Sequence, residues 1–228
     1  MDYFLSGLRT AVHLLLPPNR ELLQIVWLSL AVSGGATLLA SGAGIPLGVA
    51  LASREFRGRR VVIGMINAAL AVPAVLIGLL VYILVNRRGI LGPMGMLFTP
   101  YAMILAQALL AFPLVTALTL AALKGTAREA RELALSLGAS PRQASFAVIR
   151  QGRFAFLTAL IAGFSRVIGE TGMTLMVGGN IKGATRVMTT AISLETMKGN
   201  FETGLALGII LLAVAVVLNV VLQPFQGK

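Results

Sequence analysis

Two charged residues stand where charge is costly. Arg166 and Glu170 lie four apart within the apolar stretch 154–177. At a rise of ~1.5 Å per residue they fall roughly 18 and 24 Å beyond Phe154. If that stretch crosses a bilayer, both lie inside it, where an isolated charge costs about 2.5–3.5 kcal/mol on insertion scales. The four-residue spacing puts both side chains on one helix face, so they can pair. Such a pair either holds the fold or a subunit interface together, or lines and gates a pathway with Thr171 and Thr174 beside it. The second reading is favoured, because intramembrane charge faces a pathway or a polar partner. An ionised Glu170 is a poor direct ligand for a free anion, so its expected task is to position Arg166 or close a gate.

A polar stretch follows at 178–201. It is rich in Gly, Thr and Asn and carries Lys182 and Arg186. Backbone N–H groups and hydroxyls there, Asn180, Thr189 and Thr190 among them, can hydrogen-bond an oxyanion, with the two cations supplying attraction. The plainer reading is a solvated external connection with a short helix near Thr189–Met197. That reading is preferred over a tight site, because a passage route needs weak contacts.

The third chemically distinct stretch is 124–153, KGTAREARELALSLGASPRQASFAVIRQGRF. It is too polar to cross a membrane and too helix-prone to be a simple loop. The run Glu132–Leu137 favours helix. Gly138 can end it in the left-handed cap conformation. Ser140 followed by Pro141 starts a second helix, with Ser as cap and Pro in the first turn. The expected product is two short helices meeting at a turn of small residues. That turn either lies on the membrane as a hairpin or enters a groove on another protein.

The elements that must hold these residues are membrane helices. Hydrophobic residues make up 57% of the 228, charged residues 12%, and mean hydropathy is +0.89. Soluble domains carry about 25% charged residues. The expected fold class is an all-α membrane protein in one domain over 1–228, with no internal repeat. Spans of about 20 apolar residues are read at 22–52, 61–85, 100–123, 154–177 and 204–222. Pro73 and Pro113 lie inside spans, which neighbouring helices can tolerate. Gly42, Gly44 and Pro46 are expected to bend the first span. The run Ser33–Ala36 is expected to allow close packing. Residues 4–16 form an amphipathic pattern, read as an interfacial helix ended by Pro17 and Pro18, with His13 facing headgroups.

The formal net charge is +11. Few aromatics accompany the basic residues, and most of those flank apolar spans, so anionic lipid and membrane orientation account for the charge and nucleic acid is not an expected partner. With the N-terminus outside, eleven of the 19 Lys and Arg fall in inside segments and seven in outside segments. That bias favours N-terminus out and C-terminus in. There is no Cys and one His, so neither disulfides nor a His metal cluster is expected. Asp2 in place of a basic start, with no small-residue cleavage site after it, gives no sign of a cleavable signal.

The stretch from Glu132 through Ala134, Gly138 and Ala139 to Pro141 resembles the EAA loop of ABC importer permeases. Val148 fits a later apolar position of that motif. Leu133 departs from its second alanine, and Arg150-Gln151 stands where Leu-Pro is usual. The resemblance implies a five-transmembrane-helix, type I importer core. It implies that Glu132, Ala134, Leu137, Gly138, Ala139, Ser140 and Pro141 form a coupling helix docked on a separate ATPase. It further implies a homodimer of this chain with two ATPase copies, and an external binding protein, periplasmic or lipid-anchored. No G-x-x-x-x-G-K-[ST] occurs, so ATP and magnesium are expected on the partner and no cofactor on this chain.

A second resemblance runs through Gly169-Glu170-Thr171-Gly172, Met176–Ile181 and Thr185-Arg186-Val187. These look like molybdate and tungstate permeases. Thr189–Ile192, Leu194-Glu195-Thr196, Lys198–Phe201 and Ile45–Gly48 look more like the tungstate branch. The implied function is ATP-driven tungstate import across the cytoplasmic (inner) membrane. Rival cargoes are molybdate, sulfate and phosphate. A passive channel or scaffold is the rival from another class. A membrane enzyme is disfavoured, since Glu170 and Glu195 have no accompanying nucleophile–base set.

Overall fold

The computed structural model describes Ser6, Thr10, Ala11 and residues 20–222. Of the expected interfacial helix, Ser6, Thr10 and Ala11 are helical, and the rest of 4–16, His13 included, lies outside the described residues. Every regular element described is helical: α1 Arg20–Ser53, α2 Arg59–Leu70, α3 Ala74–Val85, α4 Pro100–Leu123, α5 Thr126–Ser136, α6 Pro141–Gln151, α7 Arg153–Ile168, α8 Gly172–Gly178, α9 Met188–Met197 and α10 Phe201–Leu222, with a short 3-10 turn at Gly92–Met94.

Helices α1, α4 and α10 are each long and apolar enough to cross a membrane. With 34 residues, α1 runs ~51 Å and outreaches a ~30 Å hydrocarbon core, so one end projects beyond it. The α1–α4 pair is the spine. It closes through small residues: a Cβ at Gly48 would lie 2.7 Å from Thr119, and one at Gly44 would lie 3.0 Å from the Thr116 hydroxyl. Gly34 and Gly42 face open space, and a Cβ on Gly35 would meet only Ile104 at 3.4 Å. The close approach therefore sits two to three turns beyond the Ser33–Ala36 run. Pro46 and Pro113 are carried inside unbroken helices, and the expected bend of α1 does not become a break.

Two expected spans are each divided into two helices. The segment 61–85 is two helices, α2 and α3, set at 101°. The Ala71 and Val72 N–H groups bond Ala68 and Ala69 carbonyls in a tight last turn. Pro73 then takes an extended ψ of 133° as the N-cap of α3. Proline's missing N–H and its clash with the preceding turn make this joint a natural break. The segment 154–177 is also divided. Helix α7 stops at Ile168, and α8 begins at Gly172 after the link Gly169–Thr171.

The main core joins α1, α3, α4 and α8 through Val32, Ala36, Val81, Met103, Met173 and Val177. A second cluster ties α9 and α10 to the start of α1 through Leu22, Ile25, Met188, Ala191, Leu207 and Ile210. A small third cluster of Val49, Leu123, Ala127 and Val148 anchors the α5–α6 hairpin beneath α1 and α4.

Candidate functional site: a charged helix break and an exposed helical hairpin

The break between α7 and α8 positions Arg166 and Glu170. An Arg166 guanidinium nitrogen lies 3.4 Å from a Glu170 carboxylate oxygen. Arg166 stands in the last turn of α7, where free carbonyls favour a cation. Glu170 stands just ahead of α8, and its Oε1 accepts from the Met173 N–H at 3.4 Å. Each charge thus meets the helix end of complementary sign. The Thr189 hydroxyl at the start of α9 donates to the Glu170 carbonyl at 3.2 Å. The break therefore gathers Arg166, Glu170, Thr171 and Thr189. The Arg166 side chain is 45% exposed and that of Glu170 14%.

Thr174 points instead into the core, where its hydroxyl accepts from Gln107 Nε2 at 3.2 Å. Gln107 Oε1 is buried without a hydrogen-bond partner. The sequence reading passed over Gln107. Its signal was an amide inside an otherwise apolar run of span three, which is uncommon in a bilayer-crossing helix.

Asn180 and Thr190 lie further along. Asn180 takes a left-handed φ of 51°. Its Nδ2 donates to the Thr190 carbonyl at 3.3 Å, and its Oδ1 accepts from Arg186 Nε at 3.3 Å. The Thr190 hydroxyl accepts from the Val187 N–H at 3.1 Å, capping α9. Lys182 and Arg186 pair with Glu21 at 2.7 and 3.6 Å. The Met188 N–H donates to the Ser29 hydroxyl at 2.8 Å, fastening the segment to α1. This connection is folded, and its polar groups bond within the chain. Glu21 and Ser29 were missed because each is ordinary in sequence and acquires its role only from what it meets, and Thr185 stood only within a resemblance, with no role given to it.

The stretch 124–153 folds as the residue types dictate. Gly138 adopts φ 84° between the two helices, and the Ala139 N–H bonds the Ala134 carbonyl at 3.0 Å. Ser140 and Gln143 form a capping box: the Ser140 N–H donates to Gln143 Oε1 at 2.7 Å, and the Gln143 N–H donates to the Ser140 hydroxyl at 3.4 Å. Pro141 occupies the first turn of α6. Helix α5 has two faces. Thr126, Glu129, Ala130, Leu133, Ala134 and Leu137 line a mostly apolar recess shared with Ala147 and Gln151 of α6. Arg128, Arg131 and Glu132 look the other way, toward the end of α1. Glu132 accepts from Arg128 Nε at 2.8 Å, and Glu55 pairs with the same guanidinium at 3.2 Å. The hydrogen bond to Glu132, then both carboxylate charges, push the Arg128 pKa up. At the tip, Leu137 is 79% exposed, with Leu133 and Phe146 exposed nearby.

Helices throughout the described residues, several of them long and apolar enough to cross a bilayer, define a multi-pass membrane protein. Residues 44–227 match the family described as the binding-protein-dependent transport system inner membrane component, and the chain belongs to that family. It is 38% identical over 228 residues to the tungstate uptake system permease protein TupB of Peptoclostridium acidaminophilum, covering all of both chains. It is 36% identical over 226 residues to TupB of Campylobacter jejuni, covering 99% of this chain and 95% of that one. The molybdenum transport system permease protein ModB of Escherichia coli is 29% identical over 203 residues, covering 85% of this chain and 89% of that one. The chain is thus a transporter membrane subunit of the inner membrane.

Proposed function

We propose that this chain is the permease of an ATP-driven tungstate importer, working as a homodimer with two copies of a separate ATPase and an external tungstate-binding protein. Full-length similarity to permeases named for tungstate uptake, at higher identity than to those named for molybdenum, carries the choice of cargo. Five segments cross the bilayer in this reading: α1, the α2–α3 pair, α4, α7–α8 and α10. The N-terminus lies outside and the C-terminus inside.

The α5–α6 hairpin is the coupling element. Its exposed Leu137, the Gly138 turn and the Ala139–Pro141 stretch enter a groove on the ATPase, while the small cluster at Val49, Leu123, Ala127 and Val148 transmits the push to α1 and α4. ATP and magnesium bind on that partner. Closure of the ATPases swings the hairpins and rocks the two copies so that the pathway opens outward. Arg166 and Glu170, with Thr171 and Thr189 at the same break, form the gate. Thr174 positions α8 through Gln107, and Asn180 and Thr190 shape the outer rim.

Reconstitution with the ATPase and the binding protein tests the reading. ATP hydrolysis is followed with tungstate, molybdate, sulfate and phosphate. Stimulation by tungstate-loaded binding protein at the lowest anion concentration is expected. A preference for another oxyanion keeps the mechanism and overturns the cargo. Absence of any complex with an ATPase overturns the importer and leaves a channel or scaffold.

A further inference from the structure

Beneath the membrane-spanning body, the end of α1, the end of α4 and the start of α5 enclose a cavity of about 510 Å³. Five basic side chains line it, Arg54, Arg59, Lys124, Arg128 and Arg131, against two carboxylates, Glu55 and Glu132. Both carboxylates are taken by Arg128. Arg59 spends only its Nε, on the Leu51 carbonyl at 2.7 Å. Arg131 Nε is buried in this wall without a hydrogen-bond partner. Arg54, Lys124 and Arg131 form no ion pair among the described residues. Gly125, also in the wall, precedes α5 without any side-chain cap.

A second recess of about 320 Å³ adjoins the first through Glu55 and Arg59, and adds Phe56, Arg60 and Val61. Phe56 and Val61 are exposed there. Cations over an apolar shelf at the end of membrane helices suit an anion that carries a hydrocarbon tail. Guanidinium forks and an ammonium match phosphate oxygens, which accept several donors at once.

We propose that this cavity binds the phosphate of an anionic lipid headgroup in the inner leaflet, with the first acyl carbons over Phe56 and Val61. The inference rests on the reading that the hairpin faces the cytoplasm. The site lies on the side of α5 opposite Leu133 and Leu137, and of the residues expected to dock on the ATPase it takes only Glu132. A headgroup here would bridge the hairpin to α1 and α4 and couple the docking element to the surrounding lipid.

The test is a binding titration on the full chain in neutral detergent, using short-chain phosphatidylglycerol, with short-chain phosphatidylcholine and inorganic phosphate as separate arms. One saturable phosphatidylglycerol site per chain is expected, with phosphatidylcholine far weaker. The double variant Arg54→Gln/Lys124→Gln removes two exposed, unpaired cations and is expected to weaken binding about thirtyfold. Arg87→Gln, outside the cavity, should leave it unchanged. Inorganic phosphate that competes at equal concentration supports phosphate recognition and assigns the occupant to solution instead of lipid. Binding equal for both lipids, or untouched by the double variant, overturns the site. Detergent removes sidedness from this measurement. Sidedness is read separately by introducing Ser136→Cys into this cysteine-free chain and labelling intact cells. Labelling from outside would sink the orientation while leaving the binding result standing.

Discussion

The α5–α6 hairpin and the connection at 178–199 lie on either side of the α7–α8 pair in sequence and are built on opposite terms. The hairpin keeps its backbone bonds local, through the Gly138 turn and the Ser140–Gln143 box, and leaves Leu133, Leu137 and Phe146 in the open. Its attachment to the body is one small apolar cluster. The connection at 178–199 turns its middle inward and leaves Ile181 and Met197 exposed toward its two ends. Thr185 is fully buried, Met188 and Thr190 are 1% exposed, Lys182 and Arg186 are paired with Glu21, and Lys198 is paired with Glu195. A segment that satisfies itself and exposes apolar surface is shaped for a second protein. One that spends its polar groups on its own chain holds the fold.

That contrast makes ranked predictions. Gly138→Val should have the largest effect. Its φ of 84° costs a β-branched residue roughly 1–2 kcal/mol or more, and the displaced tip should cut ATP-coupled tungstate uptake about tenfold or more. Uptake is measured in proteoliposomes, and normal uptake would break the docking assignment. Next comes Leu137→Asp. A charge at an exposed anchor should weaken ATPase binding by ~2 kcal/mol, about thirtyfold, while chain stability moves within ~0.5 kcal/mol. Equal loss of stability and binding would mean that the tip packs inward.

Thr185→Val tests the outer side with the reverse signature. The Thr185 hydroxyl accepts from the Ile181 N–H at 3.0 Å and donates to the Gly178 carbonyl. Leaving both backbone groups unpaired should cost about 1–3 kcal/mol in unfolding, with ATPase affinity unchanged. The smallest effect is expected at Glu195. Hydrogen bonds from Lys198 and then Asn200 hold its carboxyl below the ordinary carboxylate range. A lowered folded pKa gives stability that is present above the unfolded pKa and lost as pH falls through the folded one. Denaturation of the wild type from neutral pH down to about pH 3 should therefore show a small acid loss that Glu195→Gln removes. Identical acid profiles would show that the Lys198 and Asn200 contacts add nothing.

Much of the hairpin was legible because its signals are local. A glycine stop, a Ser-Pro start and four-residue spacing act over one or two turns, and the Arg166–Glu170 pair follows from the same arithmetic. The division of the second and fourth spans was not legible. Pro46, Pro73 and Pro113 look alike in sequence, yet only Pro73 ends a helix. Pro46 and Pro113 lie on α1 and α4, whose mutual packing outweighs one lost ladder bond. Pro73 lies between two twelve-residue helices with no such spine. The threonines and the cations of 178–199 were read as a solvated connection in preference to an anion site, and their pairing within the chain was not legible.

The sequence by itself determined that the chain is helical, apolar enough for a bilayer, and furnished with a capped polar hairpin, since backbone preference and hydropathy are read residue by residue. Only the tertiary structure decided which proline breaks a span, which glycines bring helices together, and that Glu21 claims Lys182 and Arg186 while Arg54, Lys124 and Arg131 form no ion pair among the described residues. Those outcomes depend on partners distant in sequence, and burial, charge pairing and close approach have no value until those partners are in place.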